Sequence, residues 1–190
     1  TPNESVTREL PMPNGLSAIP FELIDKVLLV EGQLNGQTGY FILDTGAPTL
    51  VVNTDNPGTH PTLVGKGLTS SIAVGDTLVQ SFQLNQESWK NIPALSLNLQ
   101  HLEQFTRRRI LGLVGYELLK DFELVFSPRE KRLFLLPPGN NQLHKVGKPQ
   151  ATLPLEWIGH LPVITLCIGN QTIKVGLDTG AGSSLISNTV

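Results

Sequence analysis

Two aspartates lie in nearly identical surroundings at distant points of the chain. Asp44 falls within FILDTGAPTLVV (residues 41–52), and Asp178 falls within VGLDTGAGSSLI (residues 175–186). In both segments a strand-like apolar run leads into Asp-Thr-Gly-Ala and is followed by further apolar residues. A carboxylate in such a place is costly unless it is hydrogen-bonded or takes part in chemistry. The sequence therefore predicts two loops that face each other and share a site.

Two neighbouring carboxyl groups can activate a water molecule. Like charges at short distance cannot both ionise easily, so one group of the pair holds a proton while the other loses it. The ionised group can take a proton from an attacking water, and the protonated group can polarise the carbonyl that is attacked. Gly46 and Gly180, each two residues after its aspartate, suit a tight turn and a close approach of backbone. This chemistry requires neither a metal nor an organic cofactor.

The two aspartates belong to an internal repeat. Their spacing, 178 − 44 = 134, aligns residues 19–53 with residues 153–187 without a gap. Identical residues under this offset include Pro20 and Pro154, Glu22 and Glu156, Ile24 and Ile158, Gln37-Thr38 and Gln171-Thr172, and Leu43 to Ala47 and Leu177 to Ala181. Chance similarity of two hairpins would not keep register over such a length. A duplicated unit is predicted.

Composition and patterning favour an all-β chain. Of the 190 residues, 39% are hydrophobic and 18 are glycine, and the apolar runs are short and separated by turn-forming residues. Asn35-Gly36 between two apolar runs predicts a hairpin. Residues 70–84 alternate around Gly75-Asp76 and are interpreted as a second hairpin.

Three further elements are expected in the middle of the chain. Residues 97–109 have the pattern of a weak amphipathic helix, and the segment after Gly115 that begins YELL predicts a short one. Residues 123–136 predict a hairpin that turns at Ser127-Pro128-Arg129.

The pattern around Asp44 resembles that of the aspartic peptidases. Retropepsin-like and pepsin-like members have a similar pattern of two hydrophobic residues, Asp-Thr-Gly-Ala and a later segment like ILGLVGYELL (residues 110–119). Residues 20–47 are similar to the opening of the bacterial aspartyl protease family. The resemblance implies an all-β acid-protease fold with a closed β-barrel lobe and the start of a second, similar lobe. It also implies an aspartic-type endopeptidase that acts on a polypeptide and needs no cofactor.

The resemblance assigns roles to particular residues. Asp44 and Asp178 would form the catalytic dyad, and Thr45 and Thr179 would link the two loops through hydroxyl-to-backbone hydrogen bonds. The other assigned residues are Gly46, Ala47, Gly180 and Ala181 in the loops, Leu113, Val114 and Gly115 beneath the first loop, and Val74, Gly75 and Asp76 as a candidate flap over the substrate. The flap departs from the family pattern, because no aromatic residue lies between positions 68 and 81.

The repeat and the resemblance together predict the domain organisation. Residues 1–18 form an N-terminal arm, 19–137 a complete lobe, 138–150 a linker, and 151–190 the first part of a truncated second lobe. Under the offset, residue 190 corresponds to residue 56 (190 − 134), so a counterpart of residues 57–137 is expected beyond this stretch.

Two alternatives to a dyad made within one chain stay open. The lobe could be a catalytically inactive peptide-binding or structural module that has lost the chemistry. Alternatively, the enzyme could be a homodimer in which Asp44 meets Asp44 of a second copy. Replacement of Asp44 by asparagine, which should abolish cleavage but leave peptide binding largely intact in an enzyme, tests the first alternative. The distance between Asp44 and Asp178 tests the second.

Other functions have little support in the sequence. A formal net charge of −2 gives no electrostatic basis for nucleic-acid binding, and Arg107-Arg108-Arg109 is interpreted as a solvated face. The four histidines, His60, His101, His144 and His160, lack the spacing of metal ligands.

The apolar and terminal segments bear on location. No apolar run reaches the roughly 18 residues that cross a membrane, and Cys167 is predicted to be a buried free thiol. The chain begins with a polar segment, so the periplasmic or secreted location expected here would require a signal peptide already removed, and a cytoplasmic location stays open.

Overall fold

Short strands dominate the computed structural model, which describes residues 18–57, 63–66, 71–139 and 149–184, with the backbone alone at 63–66 and 71–72. In chain order the elements are β1 (Ala18–Ile24), β2 (Val27–Leu34), β3 (Gln37–Leu43), β4 (Val51–Asn53), β5 (Leu63–Lys66), β6 (Ser71–Leu84), β7 (Glu87–Leu97), α1 (Gln100–Thr106), β8 (Ile110–Val114), α2 (Tyr116–Leu119), β9 (Glu123–Ser127), β10 (Arg132–Leu136), β11 (Glu156–Ile158), β12 (Leu161–Ile168) and β13 (Gln171–Gly176). The predicted all-β class is thus confirmed at the level of a mostly β chain.

The described strands form two sheets. Ten of them are hydrogen-bonded in the order β5-β6-β7-β4-β8-β3-β2-β1-β10-β9, and β11-β12-β13 form a separate antiparallel sheet. We call β1 to β10 the first unit, and β11 to β13 with the chain up to residue 184 the second unit. A further pairing joins β6 to β2 at Gln33–Gln83 and Leu34–Phe82. A closed barrel stays a prediction.

Two hairpins confirm the turns predicted from the sequence. The β2–β3 turn has positive φ at both Asn35 (48°) and Gly36 (81°), a backbone conformation that asparagine and glycine adopt most readily. Strands β9 and β10 pair in antiparallel register, so the chain reverses over residues 128–131 as expected. The predicted helix at 97–109 is shorter than expected, because β7 continues to Leu97 and Arg107 turns left-handed (φ 53°).

The hairpin predicted at Gly75-Asp76 is wrong. Strand β6 runs through both residues without a turn, and they pair with Ser96 and Leu95 of β7. The long ladder with β7 outweighs the local turn preference of a Gly-Asp pair, since each ladder residue satisfies backbone donors and acceptors. The chain reverses instead after Leu84, where Asn85 has a positive φ of 55°.

Strand β3 is buried on both faces. Phe41 and Leu43 belong to one core cluster, in which Phe41 makes an edge contact with Phe82 at 4.9 Å between ring centroids. Ile42 points to the opposite face and belongs to the other cluster. The strand that leads into Asp44 is therefore packed on both faces, which fixes the position of Asp44 at its end.

The second unit has strands where the repeat predicts them. Subtracting 134 from the bounds of β12 gives 27–34, the bounds of β2, and subtracting it from those of β13 gives 37–42, within β3. Its sheet is far less covered than the first, since Val163 is buried but Ile168 is 51% exposed. Cys167 is also exposed, so the prediction of a buried thiol is wrong. It lies near the β12–β13 turn with its Sγ 3.8 Å from Thr172 Oγ1.

The arginine triplet is exposed, as predicted for a solvated face, and it braces the first unit. Arg108 donates from Nε and Nη2 to Glu22 Oε2 at 3.1 and 2.8 Å, and Tyr40 donates to the other oxygen of Glu22 at 3.0 Å. These contacts join β1, β3 and the approach to β8. Of the predicted arm and linker, residues 1–17 and 140–148 lie outside the described residues.

Candidate active site

Asp44 begins a tight loop at the end of β3, and we call residues 44–47 the first loop. Its backbone N–H donates to Val114 of β8 at 3.0 Å, which ties the loop to the parallel neighbour strand. Its carboxylate Oδ1 accepts backbone hydrogen bonds from Gly46 at 2.9 Å and Ala47 at 3.1 Å. One carboxylate oxygen is therefore held by the loop's own amides, which leaves Oδ2 for other contacts.

Asp178 begins the corresponding loop of the second unit, and we call residues 178–181 the second loop. The Gly180 N–H donates to Asp178 Oδ1 at 2.9 Å, as Gly46 does to Asp44. Asp178 is exposed, whereas Asp44 is half-buried. The two aspartates thus share a local turn geometry but differ in their surroundings.

Two threonines exchange hydrogen bonds between the loops. The Thr45 N–H donates to Thr179 Oγ1 at 3.1 Å, and the Thr179 N–H donates to Thr45 Oγ1 at 3.0 Å. Each hydroxyl in turn donates at 2.7 Å to a carbonyl of the other unit, Thr45 to Leu177 and Thr179 to Leu43. This reciprocal set of four hydrogen bonds holds the two loops face to face.

The cross-link brings each carboxylate against the glycine of the opposite loop. A Cβ atom built on Gly46 would lie 2.7 Å from Asp178 Cγ, and one built on Gly180 would lie 2.4 Å from Asp44 Cγ. Both distances are too short for a real side chain, so only glycine at these positions lets the carboxylates approach. The carboxyl group of Asp178 is thereby close enough to Asp44 to raise the pKa of Asp44.

The surroundings of Asp44 raise its pKa to about 6 from an ordinary value of 3.8. Burial is the largest cause, followed by the charge of Asp178 and then by the hydrogen bond between the two carboxyl groups. The amides of Gly46 and Ala47 act in the opposite direction, because they donate to the charged form. Asp44 is therefore suited to hold a proton in mildly acidic solution.

Strand β8 and helix α2 lie against the first loop. A Cβ atom on Gly115 would lie 2.3 Å from Thr49 O and 2.6 Å from Ala47 O, so the backbone after β8 packs closely against the loop. Val114 is fully buried and supplies the carbonyl that accepts from Asp44, whereas Leu113 is half-buried. Val114 and Gly115 thus contact the first loop, and Leu113 pairs with Ile42 and Val51 of the neighbouring strands.

The candidate flap residues lie within a strand and not at a turn. Val74 is buried within β6, and Gly75 and Asp76 follow it in the same strand, away from any turn. Asp76 lines a cavity of about 540 Å³ together with Thr49 and Trp89. The residues between β5 and β6, 67–70, lie outside the described residues.

The sequence reasoning missed a histidine at the site. His160 Nε2 lies 2.8 Å from the carbonyl oxygen of Gly46 and donates to it. Nearby, the rings of Trp157 and Tyr116 lie 5.2 Å apart. The sequence grouped His160 with three scattered histidines. The repeat offers one signal for this residue. His160 aligns with Lys26 under the offset of 134, and the two residues lie in corresponding turns before β12 and β2.

Lys26 of the first unit lies near the second loop. It lines a cavity of about 260 Å³ with Asp178, Thr179 and Ala181. Each unit therefore places the turn before its second strand close to the loop of the other unit.

Within the described part of the chain, no three His, Cys, Asp or Glu side chains are grouped so that they could hold a metal ion. None of the described helices is long and apolar enough to cross a membrane.

Comparison with known proteins finds a structural likeness only. No family model matches the chain, and no curated protein matches it. Among solved structures that match is a retropepsin-like aspartic protease from Rickettsia conorii, which is 20% identical, with the match covering 64% of this chain and 88% of that chain at a TM-score of 0.41. The assignment of the site rests on the contacts between the two loops.

Replacement of Asp44 by asparagine should change the pH dependence of stability. A carboxyl whose pKa is higher in the folded than in the unfolded state favours folding while it is protonated, and it costs stability as pH rises through 3.8 towards 6. The cost above pH 6 is at most about 3 kcal/mol. We expect Asp44→Asn, which mimics the protonated form, to unfold at a higher temperature than the parent at pH 7.

The measurement is thermal unfolding of the parent and Asp44→Asn from pH 3.5 to pH 7.5. The advantage of the variant should vanish at the acidic end, where the parent carboxyl is also protonated. A difference that stays constant across this range would contradict the raised pKa.

Loss of one threonine hydroxyl should loosen the second unit. Thr45→Val keeps the shape of the side chain but removes the donor to Leu177 and the acceptor for Thr179, which should lower stability by about 1–3 kcal/mol. Thr45→Ser keeps the hydroxyl and is the matched control. Hydrogen exchange of the β12 and β13 amides should accelerate in the valine variant and stay near the parent rate in the serine variant. Equal exchange in both variants would show that the hydroxyl does not hold the loops.

Proposed function

We propose that the chain is an aspartic-type endopeptidase in which Asp44 and Asp178 form the catalytic dyad. The single observation that carries this proposal is the reciprocal hydrogen bonding of Thr45 and Thr179, which holds two carboxyl groups side by side against the opposite glycines. A protein gains little stability from keeping two acids in contact, because their repulsion opposes it. Chemistry that needs one shared proton explains why the pair is held together.

The environment of each carboxyl suggests how the roles divide. Oδ1 of Asp44 accepts two amide hydrogen bonds, so the shared proton is placed on Oδ2. The pKa of about 6 keeps Asp44 protonated in mildly acidic solution. Asp178 is exposed and accepts one hydrogen bond from a backbone amide, and it takes the role of base.

The proposed reaction follows from this division. Asp178 takes a proton from a water held between the carboxyls while the water oxygen bonds to the carbon of the scissile carbonyl. Asp44 gives its proton to the carbonyl oxygen, and a tetrahedral diol results. Collapse of the diol breaks the C–N bond, as the leaving nitrogen takes the proton that Asp178 had received and a diol hydroxyl returns one to Asp44. Both carboxyl groups regain their starting states, and no cofactor is consumed.

A dyad built from two copies of Asp44 is less favoured by the contacts. Leu177 and Thr179 of the same chain already bond to the groups of Thr45 that a second copy would need. A partner's first loop could enter only after the second loop had left. We therefore propose the Asp44–Asp178 pair as the working arrangement and treat the homodimer as an outcome of the test below.

The repeat carries a second part of the proposal. We infer that the second unit is related to the opening strands of the first, because β12 and β13 match β2 and β3 in position under one offset. The cross-strand pairs agree as well, since Glu156 bonds to Lys174 where Glu22 bonds to Tyr40. Activity outside the cytoplasm stays a prediction.

Cleavage assays of single variants test the dyad. Asp44→Asn and Asp178→Asn should each reduce cleavage of a denatured protein by at least about a hundredfold, because either change removes a proton-transfer partner. The exposed Asp55, in the loop after β4, supplies the matched control Asp55→Asn, which should retain the parent rate. Assays should be run between pH 4 and pH 7, with thermal unfolding as a check on folding.

The other outcomes identify the alternatives. Loss of activity in Asp44→Asn with full activity in Asp178→Asn would favour a dyad of two Asp44 residues from two copies. Peptide binding without cleavage by the folded parent would indicate an inactive binding module. Equal cleavage by all the variants would exclude the proposed function.

A further inference from the structure

The turn between β11 and β12 reaches across to the first loop. Gly159 has a positive φ of 61°, which allows the tight turn that precedes His160. His160 is half-buried, and its Nε2 lies 2.8 Å from the carbonyl oxygen of Gly46. It shares a cavity of about 450 Å³ with Thr45 and Thr179, the residues that link the two loops.

The peptide group that His160 contacts is also the one that holds Asp44. The Gly46 carbonyl and the Ala47 N–H belong to one planar peptide unit, in which a trans bond points the oxygen and the hydrogen in opposite directions. The oxygen accepts from His160 at 2.8 Å, and the hydrogen is donated to Asp44 Oδ1 at 3.1 Å. This peptide is therefore held between an imidazole of the second unit and a carboxylate of the first.

A neighbouring contact fixes the next carbonyl of the loop. The backbone N–H of Tyr116 donates to Ala47 O at 2.9 Å, and the ring of Tyr116 packs against Trp157 of β11. Two consecutive carbonyls of the first loop are thus restrained, one by His160 directly and one by Tyr116. The β11–β12 hairpin contacts the first loop through His160, and its Trp157 packs against the ring of Tyr116.

The residue that corresponds to His160 in the first unit is not a histidine. Under the offset His160 corresponds to Lys26 (160 − 134), which lines a cavity beside Asp178. A lysine ammonium acts as a compact, flexible charge, whereas an imidazole places a directed N–H on a rigid ring. The two turns therefore approach the two loops with different chemistry, and the directed donor is the one that meets the Asp44 loop.

We propose that His160 is a positioning residue that acts on Asp44 through the Gly46–Ala47 peptide. Its Nε2–H fixes the orientation of that peptide and strengthens the N–H that Asp44 accepts, because hydrogen bonds in a chain polarise one another. The inference rests on the proposed peptidase function. It adds a residue of the second unit that holds the first loop in the arrangement that catalysis requires.

Substitutions at His160 separate the donor from the ring. Glutamine carries an amide nitrogen three bonds from Cβ, as Nε2 of histidine is, so His160→Gln can keep the hydrogen bond. His160→Asn places its nitrogen one bond short, and His160→Leu fills the space without a donor. His101→Leu, on the exposed surface of α1, is the control for loss of a histidine elsewhere.

Steady-state cleavage of a denatured protein should show a split between kcat and KM. We expect kcat to fall roughly tenfold in His160→Leu and His160→Asn while KM stays within about twofold, since a small displacement of a catalytic group is costly in rate. His160→Gln and His101→Leu should stay within about twofold of the parent in both constants. A purely structural role would lower thermal stability equally in all three His160 variants without this rescue by glutamine.

Hydrogen exchange at the Ala47 amide gives a readout that does not need activity. We expect roughly tenfold faster exchange in His160→Leu and His160→Asn and the parent rate in His160→Gln. Unchanged exchange in His160→Leu, or an unchanged kcat alongside faster exchange, would overturn the positioning role. If the parent shows no cleavage that depends on Asp44, the proposed function fails by itself, and the exchange rates still decide whether His160 holds the loop.

Discussion

The exchange of hydrogen bonds between Thr45 and Thr179 is the constraint on which the site depends. Each threonine donates from its backbone to the other's hydroxyl, and each hydroxyl donates to a carbonyl of the opposite unit. Because each hydroxyl both accepts from the opposite loop and donates to the opposite unit, neither loop can shift without breaking several hydrogen bonds. Two carboxyl groups that repel each other when charged are thereby kept in contact, which is the unfavourable arrangement that shared-proton chemistry needs.

The fold supports the two halves of this arrangement unequally. The first loop extends from a strand buried on both faces and rests on Val114, Gly115 and Tyr116, whereas the second loop extends from a small sheet with exposed apolar residues. This inequality explains why burial is the largest cause of the raised pKa of Asp44. His160 of the second unit contacts the more deeply packed first loop, at the Gly46–Ala47 peptide whose N–H donates to Asp44.

The sequence predicts the features that depend on local chemistry or on repetition. Asn35-Gly36 specified its turn because few residues accept a left-handed backbone, and the offset of 134 located the strands of the second unit. Features decided by distant packing were missed. Gly75-Asp76 suggests a turn locally, but the ladder with β7 keeps it extended, and Cys167 lies in an apolar run whose sheet leaves it exposed. His160 was not recognised, because its partner is a backbone oxygen more than a hundred residues away, and only the alignment of its turn with the turn before β2 pointed to it.

The coupling of the two aspartates is the central claim, and a direct titration tests it. The carboxyl carbon of Asp44 can be followed by NMR against pH in the parent and in Asp178→Asn, with cleavage playing no part. We expect the pKa of Asp44 to fall in the variant, because the charge of Asp178 and its hydrogen bond are removed, and to stay above 3.8 because burial persists. An Asp44 titration that is the same in both proteins would contradict the shared-proton dyad.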